Sequence, residues 1–209
     1  MKSGQKQADR LRDYYGAWAE RYGDPKDDGL FARVRNREMR IVHELLALVG
    51  TESILDAGCG SGVYARPLAT RGHEVWAVDL CPEMVKRVAG HVHHAMVADL
   101  SSLALERLFD RILCLGVFEF VIDPASVFRR LRDHLSPGGR LIVLVPRTTI
   151  GGRIYQLLKA RHGLAARLYA PAELRRLGEA AGLVYRSRCS PFFHNTVMVF
   201  ECPTDRTIV

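Results

Sequence analysis

Two rhythms of hydrophobic and polar positions run along these 209 residues, and the change between them divides the chain. Up to Gly50 apolar positions recur every three or four residues, the spacing of one face of a helix. Leu11, Tyr14, Tyr15, Trp18 and Tyr22 form an aromatic stripe that predicts a helix over 8–22, packed on the rest as a lid. The polar breaker Tyr22–Gly29 follows. Arg33, Arg35, Arg37 and Arg40 then give way to Ile41, Val42, Leu45, Leu46, Leu48 and Val49, which predicts a second helix over 32–49 ended by Gly50.

From Thr51 onward short apolar runs alternate with helical patterns. Strands are expected over 53–57, 73–78, 92–97, 109–115 and 140–145. Helices are expected over 63–71, 82–89 and 123–135, the last with Asp123 as cap and Pro124 in its first turn. Residues 101–108 read as a turn or short helix, and Ser136-Pro137-Gly138-Gly139 as a turn. Continuous apolar strands separated by helices imply a parallel sheet covered on both faces. Helices over 151–161 and 171–181 come next, then strands over 183–190 and 195–201 joined by Pro191-Phe192-Phe193-His194. So short a link makes a hairpin and hence an antiparallel strand at the end of the sheet. The expected fold is α/β: a Rossmann-like doubly wound sheet, mostly parallel, with a C-terminal antiparallel hairpin strand.

Composition changes little in this picture. Hydrophobic residues at 48% and charged ones at 25% are ordinary for a globular chain. A net charge of +7 favours acidic partners without choosing among substrate, nucleic acid and membrane surface. Five cysteines without a C-x-x-C pair suggest a reduced, cytoplasmic protein. The N-terminus has no apolar signal region, and no run reaches the ~18 apolar residues of a membrane span.

The chemistry is concentrated at Leu55–Gly62, L-D-A-G-C-G-S-G, where an apolar strand runs into closely spaced glycines and then a helix. Glycine lets a ligand approach the main chain, and the helix start offers free N–H groups. Gly58, Gly60 and Gly62 make G-x-G-x-G, and Val63 departs from the dinucleotide spacing G-x-G-x-x-G. With its leading acid the run resembles motif I of class I S-adenosylmethionine (SAM) dependent methyltransferases. The resemblance covers about 51–203 and implies that fold, with SAM as cofactor, a lid over 1–50 and an acceptor-pocket segment over 147–182.

Carried onto this sequence, the resemblance implies a cofactor site at the strand ends. Asp56, Gly58, Cys59, Gly60 and Gly62 would surround the methionine part. Asp79, close to the ~20-residue separation past the glycines, would accept hydrogen bonds from the ribose. Leu80 would cover the adenine, Ala98-Asp99-Leu100 would read it, and Leu115 would lie beneath the reacting methyl group. Asp99 has a plainer role open to it, as a helix cap. Tyr15-Gly16-Ala17-Trp18-Ala19-Glu20-Arg21-Tyr22 resembles the Y-x-x-W-A-x-x-Y entry helix of a subgroup that includes quinone-ring, sterol and natural-product enzymes; there the first tyrosine lies against SAM. Plain packing of that helix is the alternative.

Val117–Pro124, V-F-E-F-V-I-D-P, resembles the same subgroup's V-L-E-H-x-x-D-P, with Phe120 where the subgroup carries His. Any base role at 120 is lost. Glu119 remains, as base, as orienting group or as a loop acid. His194, beside Phe192 and Phe193, is a second candidate base, with His162 and Tyr15 behind it. His91, His93 and His94 lack an acid or cysteine to complete a metal set, so no metal is expected. Arg147, Arg153, Arg161, Arg167, Arg175, Arg176, Arg186 and Arg188 suit carboxylate or phosphate recognition, or a solvated face.

The expected activity is methyl transfer from SAM to a small-molecule or lipid-like acceptor of anionic or aromatic character, with O-, N- and C-methylation all open. Peripheral membrane contact is compatible with it. An RNA methyltransferase and a non-catalytic SAM-binding partner subunit are the rivals. Basic charge supports the first, although no N-P-P-Y-type motif or RNA module is in evidence, and the missing His at 120 supports the second.

Overall fold

Five apolar runs become parallel strands because each is flanked by a helix able to cover the sheet. A computed structural model describes residues 2–20, 30–191 and 194–205. In chain order the helices are α1 Lys2–Trp18, α2 Leu30–Leu46, α3 Ala65–Thr70, α4 Pro82–Val88, α5 Pro124–Asp133, α6 Ile150–Arg161 and α7 Pro171–Ala180. The strands are β1 Ser53–Ala57, β2 Glu74–Asp79, β3 His94–Val97, β4 Phe109–Leu115, β5 Leu135–Pro146, β6 Val184–Cys189 and β7 Asn195–Glu201. They form one seven-stranded sheet in the order β3-β2-β1-β4-β5-β7-β6. β7 runs antiparallel to both its neighbours, and the other pairs are parallel. The chain winds from β1 outward to β3, then returns past β1 to β4. A crevice therefore opens beyond the carboxyl ends of β1 and β4, the place where such sheets bind ligands.

Each face of the sheet carries its own core. Val42 and Leu46 of α2 and Ala65 and Leu68 of α3 pack with Ile54, Val75, Leu113, Ile142 and Val197. On the other face Phe128 and Leu131 of α5 and Leu174 of α7 meet Leu55, Phe109, Tyr169 and Phe200. α7 sits so close that a Cβ on Gly178 would lie 2.3 Å from the Phe200 ring. α1 belongs to neither core. It lies across the strand ends, with Leu11, Tyr14 and Tyr15 beside Phe120 and Leu164, and Ala19 just past its end against Cys81 and Met84.

Several boundaries differ from the sequence expectation. α1 starts at Lys2 rather than Ala8, since Gln7 donates to Phe120 O at 3.4 Å and Ala165 O at 3.0 Å. Those tertiary bonds hold a polar turn that no hydrophobic period could reveal. The described part of α1 stops at Trp18, and Tyr22 lies outside the described residues. α2 ends at Leu46, where Ala47 turns to φ 46°. The turn Ser136–Gly139 lies inside β5 as a bulge: Phe109 pairs with Leu135 and Arg111 with Arg140. Its backbone still pairs, because Gly138 N–H donates to Cys202 O and Cys202 N–H to Gly139 O. The segment 101–108 contracts to one 3-10 turn, Leu100–Ser102.

Candidate active site

The loop after β1 is a piece of backbone tied to the end of the neighbouring strand. Gly58 and Cys59 N–H both donate to Val78 O, at 2.8 and 3.0 Å. Gly60 N–H donates to one Asp79 carboxylate oxygen and Cys81 N–H to the other, each at 2.8 Å. Asp79 thus spans the loop and the start of α4. Burial raises its pKa, and those backbone donors oppose the rise. Gly58 has φ 85°, and a Cβ there would stand 2.2 Å from Val117 Cγ2. Glycine is required on both counts. Gly62, at φ 83°, is equally constrained, with Val88 Cγ2 2.6 Å from its notional Cβ.

Beyond this loop lies a cavity of about 530 Å³, within the range of small-molecule sites, roughly 300–1,000 Å³. Each strand end contributes to its wall. Gly58 and Gly60 come from the loop after β1, Asp79 and Leu80 from the end of β2, Ala98, Asp99 and Leu100 follow β3, and Leu115 ends β4. Tyr15 lines it from α1, along with Leu11 and Arg12, so the first helix forms the roof. Arg12 Nε donates to Leu80 O at 3.4 Å, pinning that roof to the end of β2. Asp99 also caps the turn after β3: its Oδ1 accepts from Ser101 N–H and Oγ–H at 2.8 and 2.7 Å. Capping and cavity lining are therefore compatible.

Three of the residues expected around the cofactor lie behind the wall. Asp56 is 2% exposed and sits under the loop, where burial and the Asp79 charge push its pKa up to about 7. Cys59 is buried, its thiol bonded to Gly60 O and its pKa raised, chiefly by burial. Gly62 turns the chain into α3.

A second polar group stands behind Tyr15 and Phe120. Glu119, 3% exposed, lies in the 3-10 turn Phe118–Phe120. Its Oε1 accepts from Tyr155 Oη–H at 3.0 Å, while Oε2 is buried without a protein partner among the described residues. Burial pushes its pKa up to about 7, against the pull of its own backbone N–H, Tyr155 and Lys159. Lys159 donates to Tyr15 Oη at 3.3 Å. Its ammonium lies 4.9 Å from the Tyr14 ring centre, 5.2 Å from Tyr15, 5.6 Å from Tyr155 and 6.0 Å from Phe120. Such faces attract a cation. Burial lowers the Lys159 pKa, and Glu119 opposes that.

Tyr155 and Lys159 were absent from the sequence candidates. Their signal was the i, i+4 spacing on a predicted helix, which gives one face. That this face turns inward depends on the tertiary arrangement. Phe120, in the place of the subgroup's His, serves as one ring around Lys159 and meets Tyr15 edge-on at 6.1 Å.

The remaining candidates stand apart from the cavity. His194 stacks on Tyr155 at 6.2 Å, its carbonyl accepts from Arg147 N–H, and burial lowers its pKa. His162 packs 5.0 Å from Tyr14. His93 Nδ1 accepts from Val75 N–H and the His94 ring packs tilted against Trp76 at 4.1 Å, so both serve the sheet edge. Arg167 pairs with Glu173, Arg175 with Glu179 and Arg186 with Glu201. The flanking Phe192 and Phe193 lie outside the described residues.

Comparisons with known proteins agree with this fold. A family model described as a methyltransferase domain matches residues 30–188. The ubiquinone biosynthesis O-methyltransferase of Xylella fastidiosa (strain M23) is 29% identical over 166 residues, 76% of this chain and 66% of that protein. The chain thus spans just under two thirds of that relative's length. The Idiomarina loihiensis protein of the same name is 29% identical over 190 residues, 81% of this chain and 77% of its own. Among solved structures, magnesium protoporphyrin IX methyltransferase from Synechocystis PCC 6803 with bound SAH has a TM-score of 0.71 at 21% identity, covering 92% of this chain and 98% of that one. The N-methyltransferase NodS from Bradyrhizobium japonicum WM9 gives 0.66 at 20% identity, covering 85% and 99%. These structures share the fold and the family model spans most of the chain: this protein belongs to the class I SAM-dependent methyltransferase family.

Proposed function

We propose that this chain transfers the methyl group of SAM to a hydroxyl oxygen of a small, quinone-type or lipid-like phenolic acceptor. The observation that carries the reading is the cavity at the strand ends, with glycine backbone on one wall and Asp79 at its rim. The fit to SAM rests on that cradle: Gly58 and Gly60 line the cavity without side chains, which leaves main chain to face the ligand. Asp79, Leu80 and Asp99 would hold the ribose and adenine, and Gly58, Gly60, Leu115 and Tyr15 the methionine end. When bound, SAM supplies a methyl group on a positively charged sulfur. The roof helix α1 excludes water and aligns the acceptor, and alignment provides most of the acceleration in an in-line displacement.

A phenolic acceptor also has to lose a proton. Glu119, with its pKa near 7, is balanced between acid and base at neutral pH. Lys159, in contact with Tyr15 Oη at the cavity wall, complements an oxygen anion and disfavours a protonated amine. The names of the curated relatives support an oxygen acceptor over RNA, and a lipid-like quinone precursor brings peripheral contact with a bilayer into the reading.

The test is calorimetric SAM binding together with labelled methyl transfer to a simple catechol and to primary amines of similar size. The reading predicts SAM binding, labelled catechol and unlabelled amines. Absence of SAM binding overturns the donor site. Binding with labelled amines overturns the oxygen acceptor and leaves the donor site standing.

A further inference from the structure

Helix α6 has two faces with opposite fates. Tyr155 and Lys159 turn inward to the group around Glu119, and a Cβ on Gly152 would lie 2.0 Å from Arg147 O, so the helix backbone is pressed against the body of the protein. The outward face carries Ile150, Ile154, Leu157 and Leu158, exposed by 81, 55, 65 and 53%. The spacing i, i+4, i+7, i+8 makes them one stripe. Other large exposed apolar side chains, such as Val49, Val97, Leu108 and Val184, stand singly on separate elements. Four on one helical face are a surface that water does not favour.

The charges around the stripe select its occupant. Arg161 continues the stripe one turn further on, and Arg153 flanks it, both exposed. α6 itself holds no Asp or Glu, so Arg153 and Arg161 are the charges on its outward side. A second copy of this chain would bring arginines against arginines on molecules that each carry +7. An anionic bilayer satisfies both features at once: acyl chains accept the leucines and isoleucines, and anionic headgroups accept the arginines.

We infer that α6 is an in-plane membrane anchor, docking its Ile150–Leu158 stripe and Arg153 and Arg161 onto an anionic lipid surface. Docking sets the face of α6 that bears Tyr155 and Lys159 directly above the bilayer boundary, on the side from which a lipid-like acceptor arrives. The inference stands beside the proposed activity, because lipid binding is read without turnover.

The experiment is sedimentation of the full chain with vesicles of phosphatidylglycerol and phosphatidylcholine, and with phosphatidylcholine alone. The chain is expected to sediment with the anionic vesicles at low salt and to stay in solution with the neutral ones. The double variant Ile154→Glu, Leu157→Glu should abolish sedimentation while keeping its SAM affinity. Arg153→Gln with Arg161→Gln, both at exposed positions, should weaken it by about fivefold per arginine, from ~1 kcal/mol per basic residue at an anionic surface. Three results overturn the inference: no binding to anionic vesicles, equal binding by the arginine variant, or a dimer in analytical ultracentrifugation that Leu157→Glu dissolves. The last assigns the stripe to a chain–chain interface.

Discussion

In the proposed reading, the donor and acceptor sides of the site are built from different materials. The donor half is backbone: glycines at positive φ, amides donating to Val78 O and to Asp79, all within one β-loop-α unit and the strand beside it. The acceptor side is side chain: Tyr15 and Phe120 line the cavity, and Glu119, Tyr155 and Lys159 stand behind them. Tyr15 comes from α1, Glu119 and Phe120 from the turn after β4, and Tyr155 and Lys159 from α6. A backbone cradle is fixed by local dihedrals and fits one cofactor. A side-chain wall assembled from distant segments can be rebuilt without disturbing the sheet, which is how one fold serves many acceptors.

Substitutions should separate the two halves. The largest effect is expected at Gly58→Val, where positive φ and the collision with Val117 act together. We expect SAM binding to fall beyond about 1,000-fold, with a stability loss of about 2–4 kcal/mol. Retained affinity in calorimetry would mean that the backbone cradle is not the donor site. Asp79→Ala comes next. It removes the acceptor for the Gly60 and Cys81 amides, and SAM affinity should drop about 300-fold, the value of two charge-assisted hydrogen bonds.

Glu119→Gln should act on the other half. Turnover of a phenolic acceptor falls about 100-fold while SAM affinity holds. Its stability signature has a definite sign. The folded-state pKa, about 7, lies above the ordinary 4.5, so the native state holds its proton more tightly than the unfolded chain. Wild type therefore loses stability relative to Glu119→Gln as pH rises from 4.5 to about 7, and the difference then levels off. Melting curves across that range test it; a constant difference would remove Glu119 as the titrating group. Asp56 adds a change of the same sign in both proteins.

Lys159→Met should lower catechol turnover by about tenfold and relax discrimination against amines, since a cation next to the wall is worth about 1–2 kcal/mol. If SAM affinity fell equally, Lys159 would belong to the donor half. The smallest effect is expected at His194→Ala. The ring supports Tyr155 by stacking, so turnover should fall by no more than about threefold, given ~0.5–1 kcal/mol for such a contact. A loss as large as that of Glu119→Gln would establish His194 as the base instead.

The sequence announced the donor half because its determinants are local. Gly58, Gly60 and Gly62, a strand ending at Asp79 and another ending just before Asp99 each leave a mark in the order of residues. The hairpin was equally legible, from two β runs and a short link. Glu119 was named from its motif, but its burial was not foreseen, because burial depends on what packs over a turn. His194 lies close to the acceptor group in sequence logic and one ring away from it in space.

By itself the sequence determined the doubly wound sheet, the order of its elements and the family, since alternating periods and a glycine-rich turn leave few topologies open. Only the tertiary structure decided that α1 roofs the cavity from Lys2 onward, held by Gln7. It alone placed Lys159 among four rings beside Glu119, and left the apolar stripe of α6 facing outward. A helical period states that two faces differ. Which face meets the protein is settled by the packing of segments far apart in the chain.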